Sequence, residues 1–324
     1  MNCSKTSNND NFAENQYNKM VNTPVSKLIT GLAIPTVISM LVTSIYNMAD
    51  TFFFFFLSTQ ASAAVGVVFP IMSIIQAFGF TLGMGSGSLI SIRLGQKRNE
   101  EANVIVSTAF FTAIGIGFLI TILGIIFSTQ FLSLVGASNT ILPYAQDYAK
   151  YIFFGAPIMT ASFVLNNVLR SEGKAFFSMI GLTTGGILNI ILDPIFIYAL
   201  DLGISGAAIA TLCSQSISFL ILLTCFLKHK TVCHINIKLY SLKKEVLPKI
   251  VTTGFPSLSR QGLSSISSIL LNTAAGAYGD AAIAGMTITT KIVMFIASIM
   301  IGVGQGFSPV SGYNFGAKRY DRVK

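Results

Sequence analysis

The residues best suited to chemistry lie in one apolar run, Gly185 to Tyr198, reading GGILNIILDPIFIY. It holds Asn189, then Asp193 four residues later, with Pro194 directly behind the aspartate. Four residues is about one helical turn, so the amide and the carboxylate share a face. Pro194 has no N–H to give the carbonyl of Ile190, which leaves another oxygen free beside the pair. A carboxylate in the middle of a membrane span costs ~2.5–3.5 kcal/mol or more, so a function is the default explanation for it. Clustered oxygens in apolar surroundings suit a small cation or a proton.

Asp50 is a second carboxylate in an apolar stretch. At ~1.5 Å per residue, Asp193 lies about six residues, or ~9 Å, from the outer end of its span, and Asp50 about five from the end of its own. Tyr148 and Thr211 fall about six and seven residues inside two further spans, at the same level. If the four helices turn these groups inward, they meet at one site. Depth alone leaves Tyr148 and Thr211 equally open to an interfacial or packing role. A proton shared by the carboxylates, or a Na⁺ bound by them with oxygens from Asn189, Thr211 and the freed carbonyl, would each fit. Sequence leaves the two open.

The elements that must hold these groups are membrane helices. Only 10% of the 324 residues are charged, against about 25% in soluble chains, and the mean hydropathy is +0.69. Eight spans are expected, at roughly 28–55, 61–88, 102–127, 142–167, 174–199, 204–227, 249–276 and 281–308. Basic residues occupy alternate connectors: Arg93, Lys97 and Arg98; Arg170 and Lys174; the lysines from Lys228 to Lys249; and Lys318, Arg319, Arg322 and Lys324. The connectors near Gln60, Ser133 and Gly203 carry none. That alternation puts the N-terminus and the basic connectors in the cytoplasm of a multi-pass plasma-membrane protein. It also accounts for the net charge of +9 without nucleic-acid binding. Residues 1–26 are polar and Asn-rich and lack the apolar core of a signal peptide, so a disordered cytoplasmic tail is expected there.

An internal repeat organises the rest. Gly83-Met-Gly85-Ser-Gly87 followed by Gly95-Gln-Lys-Arg98 matches Gly302-Val-Gly304-Gln-Gly306 followed by Gly316-Ala-Lys-Arg319. Pro35 matches Pro256, and the offset is about 220 residues throughout. The fold class is therefore an all-α polytopic membrane bundle of two parallel, pseudo-symmetric lobes. The domains are 27–227, a six-helix N-terminal lobe; 228–248, a basic cytoplasmic linker; and 249–324, the first two helices of a C-terminal lobe. By that symmetry about four further helices would complete the second lobe, so the chain reads as truncated. The glycine triplets read as close helix packing and not as phosphate loops, since no strand precedes them.

Arg260 and Lys291 sit near the midplane of spans seven and eight, either lining the cleft or pairing with groups on helices beyond the chain. Cys225, His229, Cys233 and His234 have a spacing that could hold zinc but straddle a membrane boundary, so the only metal expected is Na⁺ at Asp50, Asn189 and Asp193. The four cysteines imply no disulfide framework. No nucleophile–base constellation marks an enzyme.

The order Asp50-Thr51-Phe52-Phe53, Pro70, Gly83 to Gly87, Arg170-Ser-Glu-Gly173, Asn189 to Pro194, Gly206 to Thr211 and Gly312-Tyr-Asn-Phe-Gly-Ala-Lys318 resembles the multidrug and toxic compound extrusion (MATE) antiporters. The resemblance implies twelve helices in two lobes, alternating access, and export of cationic drugs driven by Na⁺ or H⁺. It implies a first-lobe cation site at Asp50, Asn189, Asp193, Tyr148 and Thr211, the same five residues that depth selects. It also implies a bend of span one at Pro35, beside the break expected at Pro194. Phe55 and Ser58 depart from the family, which commonly has glycines there. The expected function is a monomeric secondary exporter of organic cations or amphipathic solutes, with no cofactor beyond the coupling ion. A lipid-linked precursor flippase, favoured by Arg260 and Lys291, and a non-transporting membrane fragment are the alternatives.

Overall fold

A chain crossing a bilayer must satisfy its backbone within each segment, because no water reaches it there. The apolar runs accordingly fold as long helices. The computed structural model describes the backbone of residues 3–55, 59–228, 230–241, 245–276 and 280–323, and the side chains within these apart from 3–10, 51, 54–55, 59–62, 265–266, 268–269, 272–273, 275–276, 280–288 and 291. Along the chain come α1 (Cys3–Asn22), α2 (Val25–Phe55), α3 (Thr59–Gly95), α4 (Asn99–Ile126), the short α5 (Ser128–Leu134), α6 (Leu142–Ser171), α7 (Ala175–Pro194), a π turn (Ile195–Ala199), α8 (Gly203–Leu227), α9 (Val246–Gly276) and α10 (Asp280–Gly316).

Helix α6 is the centre of the first lobe. It is 78% buried over its most apolar window, against 22–39% for the other apolar helices, and it packs on α3, α4, α7 and α8. Helix α2 closes the lobe by packing along α7. One apolar cluster, including Leu165, Leu169, Val106 and Ile250, fills the basic end of the bundle. A second, including Ile75, Ile152, Ile197 and Ala207, fills the opposite end.

The repeat in the sequence is a repeat in space. Helices α3 and α10 both end in a turn with a left-handed lysine, Lys97 at φ 60° and Lys318 at φ 58°. In both, the following arginine N–H reaches back to a helix carbonyl, Arg98 to Arg93 and Arg319 to Asn314. The lobes meet about a pseudo-twofold axis, with α10 against α2 and, as its counterpart, α9 against α3. Near the axis Ser91 lies against its own repeat partner, Gly312. A Cβ on Gly95 would overlap the Tyr313 carbonyl, and one on Gly316 would overlap that of Ile92, the same contact seen from either side.

One expectation is corrected. Residues 3–22 are not a disordered tail; they form α1, and Met20 (0% exposed) and Val21 are buried in the protein. A polar segment can fold when a few apolar residues find a prepared surface, which composition does not report. Of the eight expected spans, seven helices among the described residues are long and apolar enough to cross a membrane. At the seventh expected span the structure has α9, a helix of 31 residues that carries Lys249, Arg260 and many Ser and Thr side chains, and the side chains of part of it lie outside the described residues. At Pro35, α2 continues as α-helix. At Pro194 the helix passes from α7 into the π turn.

The lobe contact tolerates no added side chain at its tightest points. Gly254→Ala would drive a methyl into the Thr81 carbonyl and is expected to destabilise the protein by ~1–3 kcal/mol. Gly304→Ala, inside α10 and pointing into open space, should leave the melting midpoint unchanged or raise it slightly, by the equivalent of ~0.5–1 kcal/mol at most. Melting both variants in one detergent checks the contrast.

Candidate functional site

The site forms where α2, α6, α7 and α8 converge toward the end opposite the basic residues. Glycine brings α2 onto α7: a Cβ on Gly186 would lie 3.2 Å from the Tyr46 ring and 3.1 Å from Val42. Small residues let helix backbones approach closely in an apolar medium, where no hydrophobic drive joins them. One turn beyond Gly186 stands Asn189, and one turn beyond Tyr46 stands Asp50. Helix α8 is drawn in as Gly206 abuts the Phe196 carbonyl on the π turn and Ser218 Oγ donates to the Gly181 carbonyl at 2.8 Å. Tyr198 Oη donates to the Phe53 carbonyl at 2.8 Å, tying the π turn to the end of α2.

All five side chains expected at the site are brought together. Asp193, Tyr148, Asn189 and Thr211 are 1%, 2%, 3% and 9% exposed. Asn189 Nδ2 donates to Asp193 Oδ1 at 3.2 Å, the one-turn pairing read from the sequence. Asp50 and Asp193 stand close enough to interact directly. The Tyr148 hydroxyl faces Thr211 and lies within the field of both carboxyls; it also reaches the Met72 sulfur at 4.0 Å. Thr211 Oγ1 donates to its own helix, to the Ala207 carbonyl at 3.0 Å, while facing the Tyr148 hydroxyl.

Three buried oxygens here, Asp50 Oδ1, Asn189 Oδ1 and Asp193 Oδ2, have no hydrogen-bond partner. Buried polar atoms are paired as a rule, and each exception calls for an explanation. Oxygen acceptors of this kind, two of them carboxylate, match the donor set of a hard monovalent cation, and a proton between the two carboxyls would serve equally. The residues present therefore fit either coupling ion.

Tyr46 was missed by the sequence reading. It lies beside Asp50 and against Gly186. Its spacing one turn before Asp50 was the available signal. Met72, on α3, is a further neighbour that no motif marks. Arg260 is not part of this cluster; it is exposed on α9. The side chains of Lys291 and Phe55, with Ser58 and His229, lie outside the described residues. Cys213, Cys225 and Cys233 are free thiols, and Cys233 is buried beside Glu172.

The MatE family model matches residues 35–195 and 256–324. The multidrug export protein MepA of Staphylococcus aureus (strain MSSA476) is 32% identical over 297 residues, 91% of this chain and 66% of that protein. The chain thus spans 66% of the length of this curated relative. A solved multidrug resistance MATE family transporter of the MOP superfamily, in an outward-facing conformation, superposes with a TM-score of 0.90 at 31% identity, covering 94% of this chain and 68% of its own. A MOP superfamily transporter from Pyrococcus furiosus, described as having a binding pocket of reverse polarity that suggests a different function, superposes with a TM-score of 0.88 at 32% identity over the same shares.

A carboxylate held among unpaired oxygens without its ion works against the fold. Asp193→Asn removes the charge and keeps the shape, so in ion-free buffer near neutral pH it should stabilise the protein by roughly 1–3 kcal/mol. Thermal unfolding in a sodium-free buffer reads this as a higher midpoint for the variant.

Proposed function

The chain belongs to the MatE family, and on that premise we propose that it acts in the export of organic cations or other amphipathic solutes, exchanging them for Na⁺ or H⁺ by alternating access. The observation that carries this is the convergence of three partnerless oxygens, on Asp50, Asn189 and Asp193, inside one six-helix lobe. Asp50 and Asp193 hold the ion. Asn189 fixes Asp193, and Tyr148 and Thr211 close the coordination shell from α6 and α8. Coupling requires that the ion bind the two states of the transporter with different affinity, since equal affinity shifts nothing. The protein lies in the cell membrane with its basic end and N-terminus in the cytoplasm, as the lysine and arginine placement supports. It works as a monomer, and no covalent chemistry is involved.

A second reading, movement of a lipid-linked precursor, draws on Arg260, exposed on α9, and on the reversed pocket polarity described for the Pyrococcus furiosus relative. An anionic headgroup would be its substrate.

Ion binding and export are tested separately. Binding of Na⁺ stabilises the folded state by RT ln(1 + [Na⁺]/Kd), about 2.7 kcal/mol at a hundredfold excess over Kd. Titrating Na⁺ against constant ionic strength should raise the melting midpoint of the parent and leave Asp193→Asn flat; an equal rise in both would remove the ion from this site. If neither responds to Na⁺ while the parent alone takes up a proton near neutral pH, the coupling ion is H⁺. For export, cells making the protein should gain resistance to a lipophilic cation such as tetraphenylphosphonium, and lose it with Asp193→Asn. Resistance retained by that variant would remove Asp193 from the coupling, and no gain of resistance with the parent protein would favour the second reading.

A further inference from the structure

The basic end of the molecule holds features that the ion site does not use. Two charged side chains are buried there, Arg170 and Glu172, at 4% and 0% exposed. Arg170 Nη1 donates to Gln305 Oε1 on α10, and Nη2 to Asn167 Oδ1 at 2.8 Å. Glu172 lies just past α6 and takes the linker in hand: its carboxylate accepts the N–H of Val232 at 2.9 Å and of Cys233 at 3.0 Å. Burial raises its carboxyl above the ordinary range, opposed by Lys174 and by those N–H donors. The linker is further fixed as Asn103 Oδ1 accepts the His234 N–H at 2.8 Å.

Helix α1 lies over this junction and touches both lobes. On the first-lobe side, Gln16 Nε2 donates to the Glu172 carbonyl at 2.7 Å. Phe12 lies under the Lys174 ammonium at 4.0 Å, and Tyr17 under that of Lys97 at 4.6 Å. Gly173, at φ 79°, leaves room for Gln16 and Met20; a Cβ there would come within 2.8 Å of both. On the second-lobe side, Asn314 Nδ2 donates to the Met20 carbonyl at 3.4 Å. Arg322 donates to the Thr23 carbonyl and, at 2.9 Å, to Asn314 Oδ1. One helix of polar composition thus ties α6 to α10 directly across the pseudo-twofold contact.

We propose that α1 is a strap that holds the two lobes together at the basic end and must release before that end opens. The geometry requires release: α1 cannot keep Gln16 on Glu172 and Met20 on Asn314 while α6 and α10 separate. Its grip suits a reversible catch, since it consists of a few hydrogen bonds, two cation–ring contacts and the exposed Lys97–Glu14 ion pair at the rim, and two buried apolar side chains, Met20 and Val21. Length is the other requirement. Only Pro24 separates Thr23 from α2, so a released strap stays beside its docking surface and can re-engage quickly.

The strap rests on the alternating-access reading, but its test reports opening whether or not any solute is carried. Ser91, 1% exposed beside Gly312, is replaced by cysteine as a reporter, and Cys225, buried within the first lobe, is the internal control. Labelling by a maleimide is followed site by site in three versions of the Ser91→Cys protein: otherwise intact, lacking residues 2–22, and carrying Gln16→Ala with Asn314→Ala. Losing the strap should speed labelling at position 91 roughly tenfold, as a shift of a two-state population would. The double substitution should give a smaller rise, with Cys225 unchanged in both. Labelling at position 91 equal in all three versions overturns the proposal. So does faster labelling of Cys225 alongside it, because α1 would then merely stabilise the first lobe.

Discussion

The constraint on which everything else depends is backbone-to-backbone contact between the lobes. Lipid tails are as apolar as leucine, so no hydrophobic force drives helices together in a bilayer, and association rests on close packing of small residues. Here α2 and α3 meet α9 and α10 at Gly95, Gly254, Gly306 and Gly316, where a side chain would collide with a facing backbone. The contact is two-fold in character, so one motif repeated in the sequence serves both of its sides. Gly95 and Gly316 perform the same task on each other's helix.

That contact lies toward the basic end and leaves the opposite end to the ion site. Helix α2 belongs to both. Its Ala33 and Val37 lie against Gly306 and Gly302 of α10, while Tyr46 and Asp50 stand further along, beside α7. A change in how Asp50 is held therefore bears on a helix that also makes the lobe contact, and Pro35 falls at that contact. The unpaired oxygens at one end and the glycine packing at the other are linked by a single continuous element. Burying those oxygens works against stability, and sites of this kind persist where function requires them.

Much of this was legible in the sequence because its signals are local. The basic connectors, the duplicated glycine triplets and the N-x-x-x-D spacing each depend on residues near one another in the chain. Depth along a span is likewise a count, and it selected Asp50, Asp193, Tyr148 and Thr211, to which the one-turn spacing adds Asn189, before their helices were assembled. The tail was misread for the opposite reason. Residues 3–22 look disordered by composition, and only the surface made by Glu172, Gly173 and Asn314 gives Met20 and Gln16 somewhere to go.

The sequence by itself determined the membrane helices, their repeat, the end at which positive charge collects, and which polar groups lie at one depth. These follow from composition and period, which every segment carries within itself. Only the tertiary structure decided that Tyr46 stands beside Asp50, that three oxygens are left without partners, and that α1 spans both lobes. Each of those is a relation between surfaces far apart in the chain, set by how closely glycines let the helices approach. No single stretch of sequence contains such a distance.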